Sequence, residues 1–179
     1  MSAEFKQHNN IFLVGLMGVG KTTIGRQLAT ALDVPFKDSD KEIEERTGAS
    51  VSLIFEVEGE AGFRKRETAM IAELTAQKGI VLATGGGAIL SEENRKCLQD
   101  RGLVVYLHAS VDELFRRTSH SRNRPLLETA NPRERLETLF NERHPFYKSI
   151  ADLVVDTEHH TVKQVVKYIL KRVDPSKDL

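Results

Sequence analysis

The stretch GLMGVGKTTIGR, residues 15–26, decides how the rest of the chain is read. It follows the apolar run IFLV (11–14) and precedes a segment in which Ile24, Leu28 and Leu32 recur every four residues, the spacing of one helical face. Gly15, Gly20, Lys21 and Thr22 satisfy G-x-x-x-x-G-K-[ST], and they do so between a strand and a helix, the context this chemistry requires. Glycines let the backbone fold so that N–H groups converge on phosphate oxygens, helped by the positive end of the following helix. The expected nucleotide contacts are Gly18, Val19, Gly20, Lys21, Thr22 and Thr23. Lys21 would neutralise charge on the β- and γ-phosphates, and the Thr22 hydroxyl would ligate Mg²⁺. The plainer alternative, a strand-to-helix turn with chance residues, leaves the flanking pattern unexplained.

Further along, short apolar runs recur at IVLA (80–83), LVVYL (103–107) and DLVVD (152–156), with a weaker one at VPFKD (34–38). Nearly continuous apolar runs indicate strands covered on both faces, as in a parallel sheet. Helical spacing separates them, for example Val162, Val165, Val166 and Ile169. This βαβα alternation predicts an open three-layer α/β fold with right-handed crossovers, its ligand at the carboxyl ends of the strands. A chain of 179 residues fits one domain, residues 1–179. Lys plus Arg and Asp plus Glu each total 26, so no global positive field recruits nucleic acid and any anion site must be local. Cys97 is the single cysteine, which excludes an internal disulfide and a Cys-rich metal site; a small buried apolar role is expected for it. The start MSAEFKQHNN lacks a signal pattern, and no apolar stretch approaches the roughly 20 residues of a membrane span, so a cytoplasmic location is expected.

Phosphate loops serve switches, motors and phosphotransferases. No N-K-x-D sequence is present, which argues against a guanine-specific switch. A second Mg²⁺ anchor is often an aspartate ending a strand; Asp156 closes a late strand expected at the sheet edge, whereas Asp38 follows the second strand and is preferred. In DSDKEIEERTG (38–48), Ser39 or Asp40 is expected to cap a helix that carries Ile43 and Thr47 on one face and ends at Gly48. A carboxylate at that helix start, beside a nucleotide, could also accept a proton from an acceptor hydroxyl. GEAGFRKRE (59–67) opens another helix, where Arg64 and Glu67 read most simply as a surface ion pair. TGGG ends in Gly85, Gly86 and Gly87 after the IVLA strand, where bare amides could meet a ligand or merely form a turn.

In order and spacing, the phosphate loop, DSD, GFR, TGGG, RPLL and ERHPFY resemble shikimate kinase from about Ile11 to Val173, with IFLVGLMGVGKTTIGRQLA and GIVLATGGG similar to the enterobacterial type. The resemblance implies a P-loop kinase fold with a five-stranded parallel sheet, order 2-3-1-4-5, and ATP-dependent phosphorylation of the 3-hydroxyl of shikimate on the route to chorismate and the aromatic amino acids. It implies acceptor-binding helices over about 40–67, with Asp40 holding ring hydroxyls and accepting the proton. Arg64 and Arg143 would clamp the acceptor carboxylate, each guanidinium offering a fork of donors that lysine lacks. Gly85, Gly86 and Gly87 would supply backbone donors. Residues near 118–131 would form a lid, with Arg124 reaching the transferring phosphate and Arg117 lying against adenine; otherwise RRTSHSRNR reads as a solvated basic loop. His160 is implied near the adenine, while His159 and His160 make a poor metal pair because adjacent side chains diverge. Thr22 replaces the serine common in the family and keeps the hydroxyl. A monomer with ATP and shikimate as its small-molecule partners is expected. The competing readings are a kinase for gluconate or a nucleoside monophosphate, and a non-catalytic nucleotide-binding regulator.

Overall fold

In the computed structural model, which describes residues 9–119 and 127–174, the apolar runs form five parallel strands. They are β1 (Ile11–Val14), β2 (Phe36–Asp38), β3 (Val81–Ala83), β4 (Leu103–His108) and β5 (Leu153–Asp156), in the order β2-β3-β1-β4-β5. The expected strand order is therefore borne out. Leu13 pairs with Ala83 on one side and Val105 on the other, which places β1 centrally and buries it on both faces. Phe12, Leu13, Leu82, Val105 and Leu107 are fully buried, each adding about 1.5–3 kcal/mol of transfer free energy. Among the described residues, no helix is long and apolar enough to cross a membrane.

The helices are α1 (Lys21–Leu32), α2 (Ser39–Thr47), α3 (Val51–Thr75), α4 (Glu92–Arg101), α5 (Val111–Thr118), α6 (Pro132–Ile150) and α7 (Val162–Val173), with a 3₁₀ turn at Ala88–Leu90. α1 packs with α7, while α3 packs with α4 and α4 with α6. Cys97 of α4 is only half-buried against the core, because its helix meets the sheet mainly through Leu98.

Two glycines shape the ligand side. Gly15 leaves β1 at φ 149°, and a Cβ there would stand 2.5 Å from the Leu107 carbonyl oxygen, so only glycine passes this close to β4. Gly59, at φ 72° and ψ 177°, interrupts α3, so the segment carrying Arg64 and Glu67 starts as a new helix with its own direction, as GEAGFRKRE predicts.

The helix after β2 is capped differently from the expectation. Asp38, not Ser39 or Asp40, caps α2: its Oδ1 accepts from the N–H groups of Asp40 (3.0 Å) and Lys41 (3.3 Å). Asp38 alone keeps the extended backbone of a cap (φ −125°), which leaves Ser39 and Asp40 inside the first turn and frees their side chains for other partners. Ser39 Oγ, for instance, accepts from Gly85 N–H at 2.9 Å.

Candidate active site

Because all five strands run parallel, their carboxyl ends gather the phosphate loop, the DSD segment and the triple glycine on one edge of the sheet. Among the described residues, six of the seven α-helices are capped by a side chain, from Asp38, Ser50, Ser91, Ser110, Asn131 and Thr161. The exception is α1, whose N-cap is Gly20 and whose first turn holds no acidic residue. Its orphan N–H groups and positive dipole end are left for an anion.

Lys21 Nζ lies across the loop, donating to the carbonyls of Gly15 (2.6 Å) and Leu16 (3.2 Å). Thr22 Oγ1 donates to Asp38 Oδ2 at 2.9 Å, so Asp38 serves the cap with one oxygen and Thr22 with the other. A cleft of about 320 Å³ lies over this loop, lined by Gly18, Gly20, Lys21, Thr22 and Thr23, and closed on one side by Arg117. Arg117 is held by Glu113 Oε1 (2.7 Å), the Val19 carbonyl (3.3 Å) and both Thr157 oxygens (3.2 Å). Val19 itself is buried beneath the loop.

A second cleft of about 390 Å³ opens between α2, α3, the triple glycine and α6. Its walls carry Arg64, Glu67, Gly87 and Arg143, and it shares Asp38, Asp40, Gly85 and Gly86 with the first. Asp40 thus stands where the two clefts meet. Burial raises its carboxyl to about 6, reinforced by the charge of Asp38; Lys21 and Arg64 pull the other way. Glu67 is pushed to about 7 by burial, opposed by Arg64. A Cβ on Gly85 would fall 2.7 Å from Asp40 Oδ1 and 2.8 Å from Glu67 Oε2, so the absent side chain is what lets the two carboxylates share this wall.

The two arginines come from distant parts of the chain. Arg64 Nη1 pairs with Glu67 Oε1 at 2.8 Å, and the expected surface ion pair is instead an interior one, since Glu67 is 1% exposed. Arg143, also 1% exposed, is the largest fully buried side chain among the described residues. Burial lowers its pKa, and Arg64 lowers it further. Among the described residues, Asp40 Oδ1, Arg64 Nε, Glu67 Oε2, and Arg143 Nε and Nη1 are buried without hydrogen-bond partners. Buried charges in this state are costly, so this wall is complementary to a ligand bearing both an anion and hydroxyls.

Other predicted residues fall elsewhere. His160 is exposed, its Nδ1 3.2 Å from the Asp156 carbonyl, and it lines neither cleft. Asp156 is on the edge strand, facing His159 at 2.9 Å. Arg124, with residues 120–126 of the expected lid, lies outside the described residues. Sequence reading missed Glu67 and Tyr147 as parts of the site. Tyr147 donates from its hydroxyl to the Gly86 carbonyl at 2.5 Å; its one available signal was the i,i+4 spacing from Arg143.

A nucleotide-type cleft sharing its inner wall with a small polar cleft, on a parallel sheet of this order, defines the class of P-loop small-molecule kinases. Comparison with known proteins resolves the class further. The family model for shikimate kinase matches residues 17–174, and the chain belongs to that family. A shikimate kinase of Thioalkalivibrio sulfidiphilus is 59% identical over 163 residues, covering 91% of this chain and 86% of the relative. The solved shikimate kinase from Acinetobacter baumannii in complex with shikimate superposes with a TM-score of 0.91 at 47% identity, covering 97% of both chains. A gluconokinase from Sinorhizobium meliloti, at 19% identity and a TM-score of 0.61 over 93% of this chain and 91% of that one, shares the fold alone.

Proposed function

We propose that this chain transfers the γ-phosphoryl group of ATP to the 3-hydroxyl of shikimate, giving shikimate 3-phosphate and ADP. The observation that carries the reading is the junction of the clefts at Asp40, beside the buried Arg143 and the half-buried Arg64, both with unpartnered nitrogens. The acceptor oxygen bonds to Pγ as the bond from Pγ to the β–γ bridging oxygen breaks. The departing ADP keeps that oxygen's electron pair, and Asp40 takes the hydroxyl proton. Arg64 and Arg143 hold the acceptor carboxylate, while Gly85, Gly86 and Gly87 line the acceptor beside them. Lys21, with Gly18, Val19, Gly20 and Thr23, holds the phosphates. Arg117 borders the adenine and Arg124 supplies further positive charge to the transferring group.

Thr22 Oγ1 and Asp38 Oδ2, 2.9 Å apart, are hard oxygen donors suited to Mg²⁺. These two oxygens would hold a Mg²⁺ ion, which would supply positive charge to the nucleotide phosphates. The enzyme acts as a cytoplasmic monomer in this reading.

The testing experiment is ADP release with ATP and Mg²⁺ against a panel of shikimate, gluconate and nucleoside monophosphates. Shikimate alone is expected to stimulate release. Stimulation by another panel member in its place would assign a related kinase, and ATP binding with no acceptor-dependent turnover would make the chain a regulator.

A further inference from the structure

The segment after β3 is fixed at three points, each by a different element. Gly85 N–H donates to Ser39 Oγ of α2 at 2.9 Å. The Ala88 carbonyl accepts from Asn94 Nδ2 of α4, a fully buried side chain, at 3.0 Å. Between them, the Gly86 carbonyl accepts from the Tyr147 hydroxyl of α6 at 2.5 Å. A peptide flanked by two glycines rotates at little cost, because neither residue has a Cβ to restrict it. The turn closed by Ala88 N–H on the Gly85 carbonyl (3.1 Å) leaves its central peptide two orientations, and what the Gly86 carbonyl touches selects between them.

The peptide is trans, so the Gly87 N–H points opposite to the Gly86 C=O. A carbonyl drawn toward α6 by Tyr147 turns the next N–H away from it, and Gly87 is a wall residue of the acceptor cleft. Among the described residues, that N–H has no hydrogen-bond partner. Tyr147 is 2% exposed and stacks on Tyr106 at a centroid distance of 5.0 Å; the Tyr106 hydroxyl meets His144 Nδ1 at 2.8 Å instead of any acceptor-site atom. Tyr147 also lies one helical turn beyond Arg143, so a single face of α6 delivers both the anion-binding guanidinium and the hydroxyl.

We propose that Tyr147 is a positioning residue for the acceptor: its hydroxyl selects the orientation of the Gly86–Gly87 peptide that presents the Gly87 N–H to the cleft. The proposal rests on the shikimate kinase reading above. Tyr147→Phe keeps the ring and removes the donor, leaving a buried carbonyl unsatisfied. The KM for shikimate should rise about tenfold, with kcat and the KM for ATP held within about twofold. Tyr106→Phe removes the adjacent hydroxyl without touching Gly86 and should leave the shikimate KM unchanged. In the unsubstituted protein, the Gly87 amide proton resonance should move downfield when shikimate is added without nucleotide. An unchanged shikimate KM in Tyr147→Phe, equal rises in both variants, or a Gly87 amide indifferent to shikimate would each overturn the proposal. Absence of shikimate-dependent turnover in the unsubstituted enzyme would instead overturn the underlying reading.

Discussion

Asp40→Asn is expected to lower kcat by about 10²–10⁴-fold while changing the KM for ATP little, as measured by steady-state ADP release at saturating shikimate. Asparagine has nearly the same shape and can still contact an acceptor hydroxyl, but it cannot take up the proton released as the oxygen attacks phosphorus. In that proposed role Asp40 should also set the acid limb of the pH profile. Burial raises its carboxyl to about 6, so the carboxylate prevails above that pH and is lost as pH falls through it. Activity should therefore fall below about pH 6. Glu67, raised to about 7 on the same wall, couples to this titration and broadens the limb. The asparagine variant should lose most of this dependence. A wild-type turnover number in Asp40→Asn would remove Asp40 from the proton transfer.

Arg143→Ala is expected to weaken acceptor binding by roughly 2–5 kcal/mol, seen as a rise in the KM for shikimate with the KM for ATP preserved. The size follows from the burial of Arg143, with Nε and Nη1 unpartnered, next to a second guanidinium at Arg64. The two guanidiniums repel, and an acceptor carboxylate offsets the charge of the buried Arg143, whereas exposed pairs contribute about 1 kcal/mol or less. Arg143→Lys keeps the charge and loses the planar fork, so it should recover only part of the affinity. An unchanged shikimate KM in Arg143→Ala would refute this placement of the acceptor carboxylate.

The donor half of the site was legible because its signal is contiguous: a strand, a glycine loop and a helix start within residues 11–26. The sheet order came from family resemblance, since apolar runs name the strands without ordering them. The acceptor half rests on contacts between distant segments, such as Tyr147 to Gly86, 61 residues apart. Arg64 and Glu67 show the limit well. Their spacing gives an ion pair in either environment, and only packing against the second cleft distinguishes a surface pair from one whose carboxylate is 1% exposed. The cap of α2 was misplaced by one or two residues for a similar reason. Three good capping residues follow one another at 38–40, and β2 pairing through Asp38 decides which of them keeps the extended backbone.

The uncapped start of α1 ties the folding equilibrium to metabolism. Glycine in place of a capping side chain costs only about a few tenths of a kcal/mol, and here the N–H groups left open are ones a phosphate can fill. When a nucleotide phosphate occupies the helix terminus, the folded state gains RT ln(1 + [L]/Kd), about 2.7 kcal/mol at a hundredfold excess over Kd. Depletion of nucleotide thus removes both a substrate and a brace, and the fraction of chains exposed to unfolding and proteolysis rises as the energy supply falls.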